Sequence, residues 1–395
     1  MAAPLSRGTC PEAGLDADEL NRIVPELAGY LRPAPARPWC AGAVVLAGRG
    51  RTVALHEAVG WAVRYARYDE HTGLGVELPP ERWVPMRPDT VFDLASLTKL
   101  FTSLVAAGRL DLDAPAASYV PAFAAAGKAA VTVRQLLDHT SGLRPELPFY
   151  DQPTPEDRAR LLWREAPAHP PGTRRVYSDL NLIAVQHCLE AATGRGLAEL
   201  IRTDVTEPHG MTGTCFNPPP ELLPGIAATE DQRRPWGRLD RGMVRGQVHD
   251  ENAYAMGGVS GHAGLFAPAW DLALLCRALL DRGGPWPGFE TDQRWFMGEL
   301  AGRGAAGHTG FTGTSLVLDP ATDTFLVLLA NSVHPSRTWR EGSAPRAAAA
   351  TRLARAVLPR ETGRGGESAL PGGTALAGGA ARPGDGGGDP PPAAI

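Results

Sequence analysis

In the stretch FDLASLTKLFTSL, residues 92–104, Ser96 and Lys99 stand three positions apart, so a helix would present both on one face. A lysine that loses its proton there can take the serine proton and leave a nucleophilic oxygen. The choice of lysine is informative. Of 39 basic residues only Lys99 and Lys128 are lysine, and the rest are arginine, which cannot serve as a base. Taken alone, the pair also reads as an ordinary helix start, capped by Ser96 with Lys99 in solvent.

Two further groups carry proton-transfer or substrate-holding chemistry. RVYSDLNLIAV places Tyr177, Ser178, Asp179 and Asn181 after a Pro-Pro-Gly turn. A tyrosine beside an ammonium can shuttle protons, while Ser178 or Asp179 would equally cap the next helix. GHTGFTG places His308, Thr309, Gly310 and Phe311 on a small-residue strand that can lie beside a substrate, or can be a glycine-rich hairpin. His139 reads as a residue that bonds the turn backbone. His249, Asp250 and His262 do not form a ligand pattern, and no metal or cofactor is expected.

The elements that must position these groups follow from periodicity. Apolar residues at helical spacing begin at Asp16, with Pro25 expected to bend or shorten that helix. Residues 41–65 read as two strands about a Gly-Arg-Gly turn. Helical patterns dominate from Ser96 to about 285. A strand meander over about 306–331 and a helix from about 343 to 358 close the fold. This predicts an α/β (α+β) body from residues 1–93 and 290–358, enclosing a mostly helical region, 94–289. The Gly/Pro/Ala-rich stretch 359–395 has too little apolar surface to fold and is expected to be disordered. A net charge of −4 with no dense basic block argues against nucleic acid. The start lacks an apolar signal-peptide core and no run is long enough to span a membrane. Five scattered cysteines suit a reducing compartment, so a cytoplasmic protein is expected.

In this order, SxxK, then Tyr-x-Asp/Asn, then His-Thr-Gly resemble the signature of the serine penicillin-recognising family: class C β-lactamases, D-alanyl-D-alanine carboxypeptidases and related esterases and transacylases. LLDHTSGL (136–143) and VHDENAYAMGGVSGHAGLF (248–266) are similar to further segments of that family. The resemblance covers roughly residues 40–358. It implies a β-lactamase-like fold, an antiparallel sheet flanked by helices. It also implies Ser96 as acylated nucleophile, Lys99 as its base and Tyr177 as proton shuttle. His308, Thr309 and Gly310 would hold the substrate, and the amides of Ser96 and Phe311 would form the oxyanion hole. Asp179 stands where the family has asparagine. It can pair with Lys99 and hold it charged, and Asn181, one turn on, could stand in.

The implied reaction is acyl transfer through a Ser96 ester. With no export signal expected, the leading expectation is a transacylase moving an acyl group from a small-molecule ester to an amine, as in antibiotic assembly, or an esterase on such a substrate. A carboxypeptidase or β-lactamase is the alternative, and a non-catalytic binding relative, favoured by Asp179, is the third. Partners are then a small-molecule donor and an amine acceptor, with no nucleic acid and no membrane.

Overall fold

The computed structural model describes residues 4–32, 37–339 and 342–359. Its main sheet runs in the order Ser6–Arg7, Thr52–Val63, Gly42–Arg49, Thr324–Ala330, Ser315–Asp319, Ala306–Thr309, Glu290–Thr291. The long strands pair antiparallel, Leu46 opposite Val327 and His308 opposite Leu316. The sheet is mixed rather than purely antiparallel, because Ser6–Arg7 pairs parallel with Thr52–Val53.

Both faces of this sheet are covered, and the alternation along two central strands shows how. Val44 and Leu46, with Val327 and Leu329, pack with the helix Ala269–Arg282 and the inserted helical region. Val45 and Ala47, with Leu326 and Leu328, pack with the terminal helices Ala17–Asn21, Ile23–Gly29 and Ala344–Ala356. A strand buried on both faces reads as an unbroken apolar run, which is why AVVLA and FLVLLA show no polar alternation. The first core cluster also holds Leu100, Leu180 and Leu265, so the helical region shares a core with the sheet.

Local differences from the expected elements have local causes. The N-terminal helix is two pieces broken at Arg22, with Pro25 near the start of the second, where its missing N–H leaves no bond unmade. The helix expected over TVRQLLDHTSGL spans only Val133–Leu137, opened by a Thr132–Gln135 capping box. It stops because His139 takes a left-handed φ of 58°. A three-stranded sheet joins Leu265–Ala267 and Cys215–Phe216, within the mostly helical region, to Phe92–Asp93 just before it.

Lys128 explains itself. It is fully buried, and its ammonium donates to the carbonyls of Ala125, Trp163 and Glu165 at 2.9, 2.8 and 2.5 Å. Three carbonyls converging on a point suit a compact ammonium with three donors better than a planar guanidinium. The expected tail lies outside the described residues from position 360 on. Among the described residues, no helix is long and apolar enough to cross a membrane.

Candidate active site

The nucleophile candidate sits at a turn. Ala95–Leu97 form a 3₁₀ turn that runs straight into the helix Thr98–Arg109, so Ser96 precedes the α-helix that carries Lys99. Ala95 holds a φ of 46°, a left-handed conformation that costs a non-glycine residue about 1 kcal/mol or more. Asp93 accepts the Ala95 amide at 2.8 Å and so fixes the turn. Lys99 Nζ then donates to Ser96 Oγ at 2.8 Å and to the His262 carbonyl at 3.2 Å.

Lys99 is almost completely buried and forms an ion pair with Asp179 at 2.7 Å. Burial alone would push its pKa down, but the Asp179 carboxylate, aided by Tyr177, more than offsets this and holds it above the ordinary lysine value. The pairing expected from the sequence is therefore present. At rest the ammonium keeps its proton. The Tyr177 ring lies 4.9 Å from Lys99 Nζ and 4.6 Å from the His139 ring. Burial raises the phenol pKa, with Lys99 opposing, so Tyr177 carries its proton at neutral pH.

Ser178 is the N-cap position of the helix Asp179–Thr193, and this start turns Tyr177 and Asp179 toward Lys99. His139 organises it by accepting the Ser178 amide on Nδ1 at 3.1 Å, as its reading as a turn-bonding residue expects. Asn181 does not stand in for the missing asparagine. It is fully buried and satisfied by Ser141 at 2.6 Å and His139 at 3.1 Å. The physical reason is helical phase: two residues after Asp179, its side chain points into the core beside His139.

The strand Ala306–Thr309 borders the other side, with the His308 ring 5.9 Å from Tyr177. His308 Nδ1 lies 2.7 Å from the Thr309 carbonyl, which makes Nδ1 the protonated nitrogen and leaves Nε2 an acceptor in the neutral ring. Burial pushes its pKa down to about 4, although Glu290 opposes, so His308 is uncharged at neutral pH. Gly310 is required by contact. A Cβ there would lie 2.1 Å from Thr314 Oγ1 and 2.5 Å from the Leu94 carbonyl, because this strand end abuts the Ser96 turn. Phe311 follows directly.

Asp179, Asp250 and His262 offer donor atoms within 4.8 Å of one another. They are already engaged, Asp179 by Lys99, and Asp250 by His262 at 2.9 Å and the Ala253 amide at 2.8 Å. A dication would also sit beside the Lys99 ammonium, so the set does not suit a metal. His249, grouped with these by sequence proximity, instead pairs with Glu230 at 2.7 Å.

Asp179→Asn tests the ion pair. Removing the carboxylate takes away the largest group opposing burial at Lys99, so the alkaline-rising limb of the acylation rate is expected to move about 1–2 pH units lower. A pH–rate profile of single-turnover acylation checks this; an unmoved limb would show that Lys99 does not control the step.

The chain is 31% identical over 315 residues to a putative D-alanyl-D-alanine carboxypeptidase of Escherichia coli K12, covering 64% of this chain and 72% of that protein. It is 30% identical over 356 residues to an N-acetylmuramyl-L-alanine amidase of Bacillus subtilis 168, covering 74% and 77%. The crystal structure of a penicillin-binding protein homologue from Caulobacter crescentus superposes with a TM-score of 0.61 at 22% identity, over 87% of this chain and 99% of that one, and so shares the fold. The family model described as Beta-lactamase matches residues 27–351, and the chain belongs to that family of serine-nucleophile hydrolases.

Proposed function

We propose that the protein cleaves an uncharged acyl donor, an ester or an internal amide, through a Ser96 acyl-enzyme that water discharges. Ser96 Oγ attacks the carbonyl carbon as its proton passes to Lys99, whose own surplus proton moves onto Asp179. The amides of Ser96 and Phe311 take the developing oxyanion, each donor contributing about 3 kcal/mol. As the carbon–leaving-group bond breaks, Tyr177 gives its phenolic proton to the leaving group and is reprotonated through Lys99. Water then attacks the ester by the reverse proton route.

The donor class rests on one observation, the buried neutral His308 on the substrate-facing strand. A carboxylate next to the scissile bond needs a cation. Lys99 is paired with Asp179, Arg175 with Glu290, and Arg337 with Glu230 and Glu251, while the buried Arg346 donates to the Gly310 carbonyl and the Ser343 hydroxyl. His308 and Thr309 instead offer neutral hydrogen-bonding groups. Among the two curated relatives, this favours the amidase type of chemistry over that of a carboxypeptidase.

The test compares donors on one enzyme. Taking one misplaced charge as several kcal/mol, kcat/KM for p-nitrophenyl acetate or a C-terminally blocked muramyl-L-alanyl amide is expected to exceed that for nitrocefin and acyl-D-alanyl-D-alanine by about 100-fold or more. Preference for the carboxylate-bearing donors would overturn the assignment. Transfer to an amine, the leading expectation from the sequence, is the second reading. The partly exposed carboxylate of Asp250, bonded to His262 and the Ala253 amide through Oδ1, supports it, because Oδ2 would gather an amine acceptor. Adding glycinamide to the same assay distinguishes amide product from hydrolysis.

A further inference from the structure

Behind the candidate site lies a buried network that no catalytic step above uses. Glu230 is completely buried and accepts His249 Nε2 at 2.7 Å, the Arg337 main-chain amide at 2.8 Å and Arg337 Nε at 2.9 Å. Arg337 also bonds Glu251. The Glu230 pKa falls to about 2: burial opposes ionisation, and the bonds from His249 and Arg337 prevail. Such a charged cluster is costly to bury unless every group is paired, and here Glu230 is.

His249 is the member that reaches the site, and it does so twice. Its main-chain amide donates to Asp93 Oδ2 at 2.6 Å, and Asp93 Oδ1 is the acceptor that holds the strained Ala95 before Ser96. Its imidazole ring stacks on Phe311, centroids 5.5 Å apart and planes at 24°, while the Arg337 guanidinium lies 5.8 Å from the Phe311 ring centre. Thr312, the next residue, donates its hydroxyl to the Asp93 carbonyl at 2.8 Å. One residue thus touches the supports of both Ser96 and Phe311, whose amides lie on segments otherwise more than 200 positions apart in the chain.

We infer that His249 is a positioning residue: held by Glu230 and Arg337, it fixes the distance between the Ser96 and Phe311 amides and so sets the shape of the oxyanion hole. The inference rests on the acyl-enzyme reading of Ser96. It differs from a purely structural role in what it predicts, since the same hole serves the tetrahedral intermediates of acylation and deacylation. A fault in it slows both steps together and leaves substrate affinity alone.

The experiment is stopped-flow acylation of the full chain by p-nitrophenyl acetate, reading burst and steady-state phases. His249→Ala removes the stack on Phe311 and is expected to slow both acylation and deacylation about 30- to 100-fold, part of the effect of losing one oxyanion donor, with the substrate Kd within about threefold. His249→Phe keeps the ring on Phe311 and the main-chain bond to Asp93 but gives up the bond to Glu230, and should recover rates to about tenfold below wild type, the level expected of Glu230→Gln. Should the alanine variant not fold, Glu230→Gln loosens the imidazole without opening a cavity, and a loss of about tenfold in both steps is expected. Rates of His249→Ala or Glu230→Gln within threefold of wild type, or loss of only one of the two steps, would overturn the inference. A wild-type protein without any burst would instead overturn the Ser96 acyl-enzyme itself, and this inference with it.

Discussion

Ser96→Ala is expected to lower turnover by about 10⁴-fold or more, because in the proposed mechanism the nucleophile, the lysine that takes its proton and the proton shuttle act as one unit. The fold should survive intact. Ser96 contributes one hydrogen bond to Lys99, and the ammonium keeps both Asp179 and the His262 carbonyl when that bond is removed. The strain at Ala95 remains held by Asp93. The thermal midpoint should therefore stay within a few degrees of wild type, since the loss is about one hydrogen bond of roughly 1 kcal/mol. Circular dichroism melting alongside the rate measurement separates lost chemistry from lost structure. Lys99→Ala makes a useful contrast, because it strands Asp179 as well as removing the base. That variant should lose both activity and stability.

The second large effect is in stability against pH. His139, His308 and His334 are all buried, and burial is the first cause holding each pKa low: well below the ordinary value for His139, to about 4 for His308 and to about 3 for His334. Lys99 and Arg175 reinforce this at His139 and His308, and Arg245 and Arg64 at His334, while Glu290 works against it at His308. Unfolded histidine binds a proton below about 6.5, and these three in the folded protein do not until far lower. Their stabilisation is thus complete above about pH 6.5 and is lost as the pH falls toward 4. His308 and His334 each contribute about 1.4 kcal/mol per pH unit, so these two remove about 4 kcal/mol between pH 6.5 and 5, and His139 acts in the same direction. That is a large share of the stability of an ordinary domain, and a fall in thermal midpoint of several degrees is expected from pH 7.5 to 5. A flat melting temperature across that window would show that the histidines are not held neutral.

The legible parts of the site were those whose chemistry is local. Ser96 and Lys99 are three residues apart, Tyr177 and Asp179 two, and His308 and Thr309 adjacent, so each pair is visible locally, but each alone also fits a helix start or a hairpin, and it is their order, resembling a family signature, that marks them as one site. The replacement of most lysines by arginine helped, because it left Lys99 and Lys128 as residues whose compact ammonium is needed. The two sheet faces were hidden in runs such as AVVLA, since a strand buried on both sides leaves no alternation to read. Asn181 was misplaced because its position relative to Asp179 depends on the phase of a helix that starts at Asp179 itself. The Glu230–His249–Arg337 network was out of reach. Arg337 lies 107 positions from Glu230, and no local pattern marks a carboxylate that is stable in the core only because distant partners converge on it.

In the proposed mechanism, the ion pair with Asp179 keeps Lys99 protonated, and Ser96 therefore unactivated, until a donor binds. The proton that blocks it leaves only when Asp179 shares it, so donor binding that shields this pair from solvent would favour the transfer. The most direct measurement is intact-protein mass spectrometry of wild type and Ser96→Ala after mixing with p-nitrophenyl acetate. The account predicts a gain of one acetyl group in wild type, located to Ser96 by peptide mapping, absent from the variant and lost on standing in water. No adduct at Ser96, or an equal adduct in both proteins, would contradict it and leave a fold kept for binding alone.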